Sequence, residues 1–551
     1  MCIFMGYTPA FAVNYRTVDC RAGETKMSII YDEKQKTITL HTKNTTYQMQ
    51  VDRYGFLLHL YYGKYAEGCM DYLLTYYDRG FSGNPYDAGN DKTYSMDSLP
   101  QEFPSLGTGD YRTPACIIKN TDRTYCSDFR YESHTIKDGK YSLPGLPAVY
   151  ADDKEAQTLE VVLVDRVTNV KAVLLYGVLP EYDVITRSVR IVNASGGHVS
   201  VKKLAPACLD LVGGEYDFIT FYGRHAMERN CQRMPVGHGV AKIGSLRGTS
   251  SHQYNPAIIL AEHDATEDAG GCYAMAFVYS GGFQSEAGMD QYSQTRVLMG
   301  FSEEQFAYPL KAGEEFQSPE VTMTYSPDGL AHLSQNFHRC IRTHLCRGKY
   351  KETVRPILLN SWEASYFDFT GESLLKLAEQ AAELGIEMFV MDDGWFGNRD
   401  SELRGLGDWK VNEEKLGCTL GELISKINAM GLKFGIWIEP EMVNEDSDLY
   451  REHPDWAFVI PGRRPNRSRH QLVLDFSRKE VVDYIYDQIC GVLDQGNVEY
   501  VKWDMNRSLA DIYSATADSQ GRVLHDYVLG LYDFLERLVN RYPNILIEGC
   551  S

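Results

Sequence analysis

The sequence predicts a multidomain protein of mixed β and α/β class: an amino-terminal antiparallel β-sandwich followed by a (β/α)8 barrel, of which about six strands are present. Three observations predict this. Up to about residue 325 the chain alternates apolar and polar residues without a long helical period. From residue 355 apolar strands alternate with amphipathic helices. The carboxyl ends of those later strands carry Trp, Asp, Glu and Lys in unusual density.

The 551 residues, 44% of them hydrophobic, are enough to fill more than one core. In the first part, residues 183–193 ("DVITRSVRIVN") set Ile185, Val189 and Ile191 against Arg187 and Arg190, and "TLEVVLVDRV" is similarly rich in β-branched residues. The 38 tyrosines and frequent glycine turns suit a sandwich over residues 1–328. The period then changes. Leu330, Leu333, Phe337, Cys340, Ile341 and Leu345 form one helical stripe, which predicts a helical linker over 329–350. Residues 351–551 are expected to form the barrel part.

Its strands are expected in "RPILLNSWEA", "EMFVMDDGWF", "KFGIWIEPEM", "HQLVLDFS", "EYVKWDMN" and "NILIEGCS". Capping-box spacing marks helix starts at Thr419 with Glu422 and at Ser477 with Glu480, and Gly385 and Gly431 stand where a helix ends. Strands this apolar are buried on both faces, and the connections are long enough for parallel pairing. A doubly wound sheet would spread its strand ends along an edge and more often show a glycine-rich phosphate loop, absent from "NSWEASYFDFTGES". In a barrel the ends converge on one face.

Those ends present Trp362 and Glu363, Asp392 and Asp393, Trp437 with Glu439 and Glu441, Asp475, Lys502 with Asp504, and Glu548. Aromatic platforms beside carboxylates, lysine and amides suit sugars, whose C–H faces stack while their hydroxyls need fixed partners; a single Trp is as readily core. Adjacent Asp392 and Asp393 suit a metal too, but hard-cation sites gather carboxylates without surrounding Trp and Lys, so no metal is expected. Lys502 and Asp504, two apart, share a strand face, and a cation there would keep Asp504 ionised as a nucleophile; an ordinary ion pair is the plainer reading. Arg469 sits in a basic loop, "PGRRPNRSRHQ", of a kind that is usually solvated.

Bulk properties exclude other classes. A net charge of −20 argues against nucleic acid and anionic membrane as partners. The start, "MCIFMGYTPAFAVNYR", lacks the basic region and apolar run of a secretion signal, and no stretch has the length of a membrane span. Thirteen cysteines without metal-ligand spacing suggest reduced thiols and a cytoplasmic location.

The motifs "NSWEA", "DDGWFGNRD", "LGDWKVNEEK", "GIWIEPEMVN", "RHQLVLD", "KWDMNR" and "EGCS", in this order and spacing, closely resemble glycoside hydrolase family 36, the bacterial α-galactosidases. "SLPQEFPSLGTGDYRTPA" extends the resemblance to the amino-terminal half. It implies a retaining hydrolase of α-galactoside oligosaccharides such as melibiose and raffinose, with Asp504 as nucleophile and no cofactor. Asp392 and Asp393 would hold galactose hydroxyls, Trp362 and Trp437 would line the pocket, and Arg469, Lys502, Asn506 and Cys550 would contact substrate. A homotetramer is expected of the full-length form. Relatives of the family also imply a galactosyl transferase of the raffinose-synthase type or an α-N-acetylgalactosaminidase as alternatives; a non-catalytic sugar-binding fragment is the third. There are two departures. His470 stands where the family has Asn in Arg-Asn-Gln. The chain also stops at Ser551, before the family's aspartate acid/base, so a truncated member lacking its last two strands and its acid is expected, with Glu548 a structural carboxylate.

Overall fold

The computed structural model describes residues 28–550, apart from 79 and 214; the reading of the first 16 residues lies outside them. In the described amino-terminal part every pairing between strands is antiparallel. Strands Ile29–Asp32, Thr37–His41, Thr45–Val51 and Leu57–Lys64 form a four-stranded sheet in chain order. A ten-stranded sheet has Val184–Asn193 near its middle, between Val170–Leu179 and Val321–Ser326. Its inner face shares one core with the smaller sheets, where Leu174, Ile185 and Ile191 meet Ile38, Met49, Leu209 and Met299.

One residue of the central strand departs from the sequence expectation. Arg187 is buried together with Ile185 and Val189, because residues two apart share a strand face whatever their polarity. The charge is met there: Glu102 lies 3.5 Å from the Arg187 guanidinium and also accepts the hydroxyls of Tyr47 and Tyr176, at 2.8 and 2.7 Å. Helix α1 (Gly329–His344) follows the last strand. Leu333 and Cys340 of its stripe are buried, but Ile341 is exposed, and Asn336 and His344 take the inner positions instead. They can do so because each finds a partner, Thr324 Oγ1 at 3.1 Å and the Tyr150 carbonyl at 2.8 Å.

The carboxyl-terminal part holds one parallel sheet. Its strands are β1 (Leu358–Asn360), β2 (Met388–Met391), β3 (Lys433–Ile438), β4 (Val498–Asp504) and β5 (Leu546–Cys550), hydrogen-bonded in chain order. Between them run helices α2 (Gly371–Glu383), α3 (Leu420–Ala429), α4 (Lys479–Leu493) and α5 (Val523–Arg541). The sheet's concave side packs Leu358, Met388, Val390, Tyr500 and Leu546 together. Gly435 makes room for them: a Cβ there would lie 2.6 Å from the Tyr500 ring and 3.0 Å from Val390. The opposite side buries Phe389, Phe434, Ile436 and Val501 completely.

The described parallel sheet has five strands, not six. Gln471–Val473, from "HQLVLDFS", pairs antiparallel with Met442–Asn444 in a separate hairpin. No slot exists for it in the sheet, since β3 and β4 hydrogen-bond directly, Ile436 opposite Val501. Apolar composition had indicated its burial correctly but carries no information about its partner. The capping expectation splits as well. Thr419 and Glu422 form the reciprocal box, and Gly385 and Gly431 close their helices at φ of 81° and 84°. Ser477 caps nothing: its hydroxyl is taken by Asp475, and α4 starts from Arg478 without a side-chain cap.

Candidate active site

β4 ends in Lys502, Trp503 and Asp504, and alternation sends Lys502 and Asp504 to the concave side while Trp503 packs outward with its indole N–H on Glu441 at 3.0 Å. Lys502 does not pair with Asp504. Its ammonium lies 2.9 Å from Asp392 Oδ2, across the sheet at the end of β2. Burial lowers the Lys502 pKa, but the Asp392 bond and charge more than offset this and leave it raised. The residue parity was right, therefore, and the partner was not.

Asp504, 7% exposed, is oriented by N–H groups instead of a cation. Trp437 Nε1 donates to Oδ2 at 3.1 Å, Asn506 Nδ2 to the same oxygen at 2.7 Å, and the Met505 amide to Oδ1 at 2.9 Å. Three donors on one carboxylate fix its orientation. Cys550 stands directly opposite on β5; burial, then the charge of Asp504, push its thiol up to about 11, so it remains a donor. Trp437 is itself buried, its carbonyl accepting Trp395 Nε1 and its ring lying parallel to Phe396, and what it gives the site is the N–H beneath Asp504.

The paired aspartates differ in their partners. Asp392 accepts Asn360 Nδ2 at 2.6 Å besides Lys502, and the same Asn360 accepts the Trp362 amide at 2.8 Å, which sets the half-buried Trp362 at the end of β1. Asp393 is gripped by Arg399 through Nε at 3.0 Å and Nη2 at 2.8 Å, a two-pronged pair in which both residues are nearly fully buried. Burial still holds Asp393 above the ordinary carboxylate range despite Arg399. Arg399 then bonds Asn444 Oδ1 at 2.9 Å, and Asn444 bonds the His470 carbonyl at 2.8 Å, tying the second strand end to the 461–471 loop.

That loop brings Arg469 in. Its guanidinium donates to Asn506 Oδ1, which fixes the amide so that Nδ2 faces Asp504. Arg469 and His470 both have positive φ, 51° and 59°, between Ser468 and Gln471, whose carbonyl and amide are joined at 3.0 Å. This is a two-residue hairpin turn that favours Asn and Gly at its centre. His470→Asn should therefore stabilise the turn by about 1 kcal/mol, or about fivefold in local opening, because Asn tolerates left-handed backbone better. Slower hydrogen exchange at the Gln471 amide checks this; unchanged exchange would mean that the turn carries no strain.

Glu439, at the end of β3, is fully buried and accepts the Asn506 amide at 2.5 Å and Gln471 Nε2 at 2.9 Å. Burial, then the charge of Asp504, push it up to about 8. The other strand-end carboxylates stay outside this cluster. Glu441 accepts Trp503 and Tyr527 in the core, Asp475 accepts the Ser477 hydroxyl and amide, and Glu363 and Glu548 are exposed. Sequence reasoning missed Arg399, Asn360 and Gln471; Arg399 lies inside the quoted "DDGWFGNRD", where an arginine soon after paired aspartates was the available signal. The amino-terminal part braces the strand end: Arg247 accepts the Leu509 amide at 2.9 Å and donates to Ser508 at 2.8 Å.

Comparison with known proteins gives two family matches, the glycosyl hydrolase family 36 N-terminal domain over residues 55–311 and melibiase over 315–551. The bifunctional alpha-galactosidase/sucrose kinase AgaSK of Mediterraneibacter gnavus is 62% identical over 95% of this chain, which spans 56% of that protein's length. Alpha-galactosidase Mel36A of Lactobacillus acidophilus is 45% identical over 95% of this chain and 72% of its own. Among solved structures, the galactosidase domain of AgaSK superposes with a TM-score of 0.93 over 95% of this chain and 72% of that one, at 62% identity. A raffinose complex of a variant GH36 alpha-galactosidase AgaA from Geobacillus stearothermophilus gives 0.92 over 94% and 72%, at 43% identity. Matches at these identities across both halves, with the strand-end residues gathered as described, show that the chain belongs to glycoside hydrolase family 36.

Proposed function

We propose that the chain is a retaining α-galactosidase, which releases terminal α-galactosyl residues from oligosaccharides such as melibiose and raffinose. The observation that carries the reading is Asp504: a carboxylate at a strand's carboxyl end, fixed by three N–H donors and bearing no ion pair among the described residues. Such a group attacks an anomeric carbon in line, breaking its bond to the aglycone oxygen, which departs as the alcohol once protonated, and forms a galactosyl ester; water then displaces the carboxylate from that carbon, giving α-galactose with overall retention. Asp392, Asp393, Lys502 and Arg469 contribute hydroxyl contacts around it. Trp362 contributes an aromatic face and Cys550 a thiol at the rim. No cofactor enters these steps. The raffinose and stachyose held by solved relatives support the choice of substrate.

Five parallel strands with polar ends on one side support placing the sheet in a (β/α)8 barrel over 351–551, with 1–328 as the β domain and 329–350 as the linker. Tyr72, Phe81, Tyr86 and Tyr111 are strongly exposed on the β domain, and exposed aromatic side chains are enriched in homo-oligomeric contacts, which supports the tetramer. No helix among the described residues is long and apolar enough to cross a membrane, and the described cysteines are free, which agrees with a cytoplasmic enzyme.

The test uses p-nitrophenyl α-galactoside, whose leaving group departs without protonation. Rapid quenching and mass spectrometry should find a galactosyl ester on Asp504, and NMR should show α-galactose as the first product. An ester on another residue, or β-galactose first, would overturn the reading.

A further inference from the structure

Asn506 serves two carboxyl groups at once. Its backbone N–H goes to Glu439 Oε1 and its side-chain Nδ2 to Asp504 Oδ2, so Glu439 lies one residue's width beneath the nucleophile. Nothing charged balances Glu439. Lys502 is held by Asp392, Arg399 by Asp393, and Arg469 reaches Asn506 and Glu402; Arg507, on the same segment, spends its guanidinium on the carbonyls of Gln471, Asn466 and Ser508. The charges that act most on Glu439 are Asp504, then Asp393, both negative. A fully buried carboxylate without a cation, beside a second carboxylate, is the arrangement in which one of the two keeps its proton.

A second feature agrees. Gln471 meets Glu439 with its amide, and the amide oxygen of Gln471 is buried without a partner. Both groups that meet Glu439, this amide and the Asn506 N–H, are neutral, so neither balances a charge on the carboxyl.

We propose that Glu439 is a neutral, proton-bearing positioning residue, which anchors Asn506 so that the amide addresses Asp504 while the site keeps a single charged carboxylate for attack. The proposal rests on Asp504 as nucleophile but concerns a group that does not touch the sugar. When Glu439 ionises, its oxygens compete for Asn506 Nδ2 and Asp504 loses its orientation. The rate of galactosyl transfer to Asp504 should then fall on the alkaline side, with a midpoint near the Glu439 value of about 8.

Two measurements on the full chain test this, one of them independent of activity. The stability difference between Glu439→Gln and the parent should be read from melting curves across pH. A raised carboxyl value means that folding takes up a proton, so the parent loses stability as pH rises from the ordinary glutamate range to about 8, and Glu439→Gln does not. The gap in melting temperature in favour of Glu439→Gln should therefore widen across that window and then level off. A gap that does not change with pH overturns the proton assignment, whether or not the chain is an α-galactosidase. The second measurement is single-turnover nitrophenol release. Glu439→Ala should slow it by about a hundredfold through the loss of the Asn506 anchor, whereas Glu439→Gln should recover most of that rate and lack the alkaline fall. If Glu439→Gln is as slow as Glu439→Ala, or keeps the alkaline limb, the positioning role is wrong.

Discussion

Asp504→Asn should fold with an unchanged melting profile and lose nitrophenol release from the aryl α-galactoside by about 10⁴-fold or more, the scale seen when a covalent nucleophile is removed. The fold should tolerate the change because the amide oxygen can keep the two N–H bonds that Oδ2 accepts, from Trp437 and Asn506, and only the Met505 amide at Oδ1 loses its acceptor. Turnover should not survive it, since no other carboxylate in the cluster is placed to attack. Asp392 is occupied by Lys502 and Asn360, Asp393 by Arg399, and Glu439 is buried beneath Asn506. Asp504→Asn that retains a tenth of the parent rate would move the nucleophile elsewhere. Loss of folding together with activity would leave Asp504 a structural residue, and circular dichroism at the same concentration separates the two.

The sequence was legible where a local rule decides the outcome. Five of the expected strands form because each is an apolar run bounded by turn or capping signals, and their polar ends gather because parallel strands share a direction. Thr419 with Glu422 is a local capping rule and it held; Ser477 with Glu480 satisfied the same rule but lost its hydroxyl to Asp475, two residues back. What could not be read was pairing across the sheet. Lys502 was assigned to Asp504 from spacing within one strand, whereas its partner Asp392 is 110 residues away in sequence. The three-residue strand Gln471–Val473 was apolar like a barrel strand, and only the direct β3–β4 contact excludes it. Glu439 was visible as one of several strand-end carboxylates; its distinction, burial without a cation beside the carboxylate of Asp504, exists only in three dimensions.

The largest stability effect is expected at Arg399, a residue with no role of its own in the chemistry. Arg399→Met keeps the length and apolar stem but removes the guanidinium that grips Asp393 twice, bonds Asn444 and reaches the Arg404 carbonyl at 3.1 Å. Breaking a buried pair from one side leaves an uncompensated charge and costs about 3–5 kcal/mol. The loss should depend on pH, with a sign fixed by Asp393. Burial already holds that carboxyl above its ordinary value, and without Arg399 it rises further. Folding then takes up a proton, so the Arg399→Met protein is least impaired at mildly acid pH, where the folded Asp393 carboxyl still carries its proton. Its stability falls as pH rises toward the new folded value. Adding Asp393→Asn removes the charge and should recover a large part of the loss at pH 8, though not the Asn444 contact. Calorimetric melting of the parent, the single variant and the double variant between pH 5 and pH 8 distinguishes the accounts. A loss equal at both ends of that range, or a double variant no more stable than the single, would show that Arg399 acts through packing and its carbonyl contacts, and that Asp393 does not depend on it for its charge.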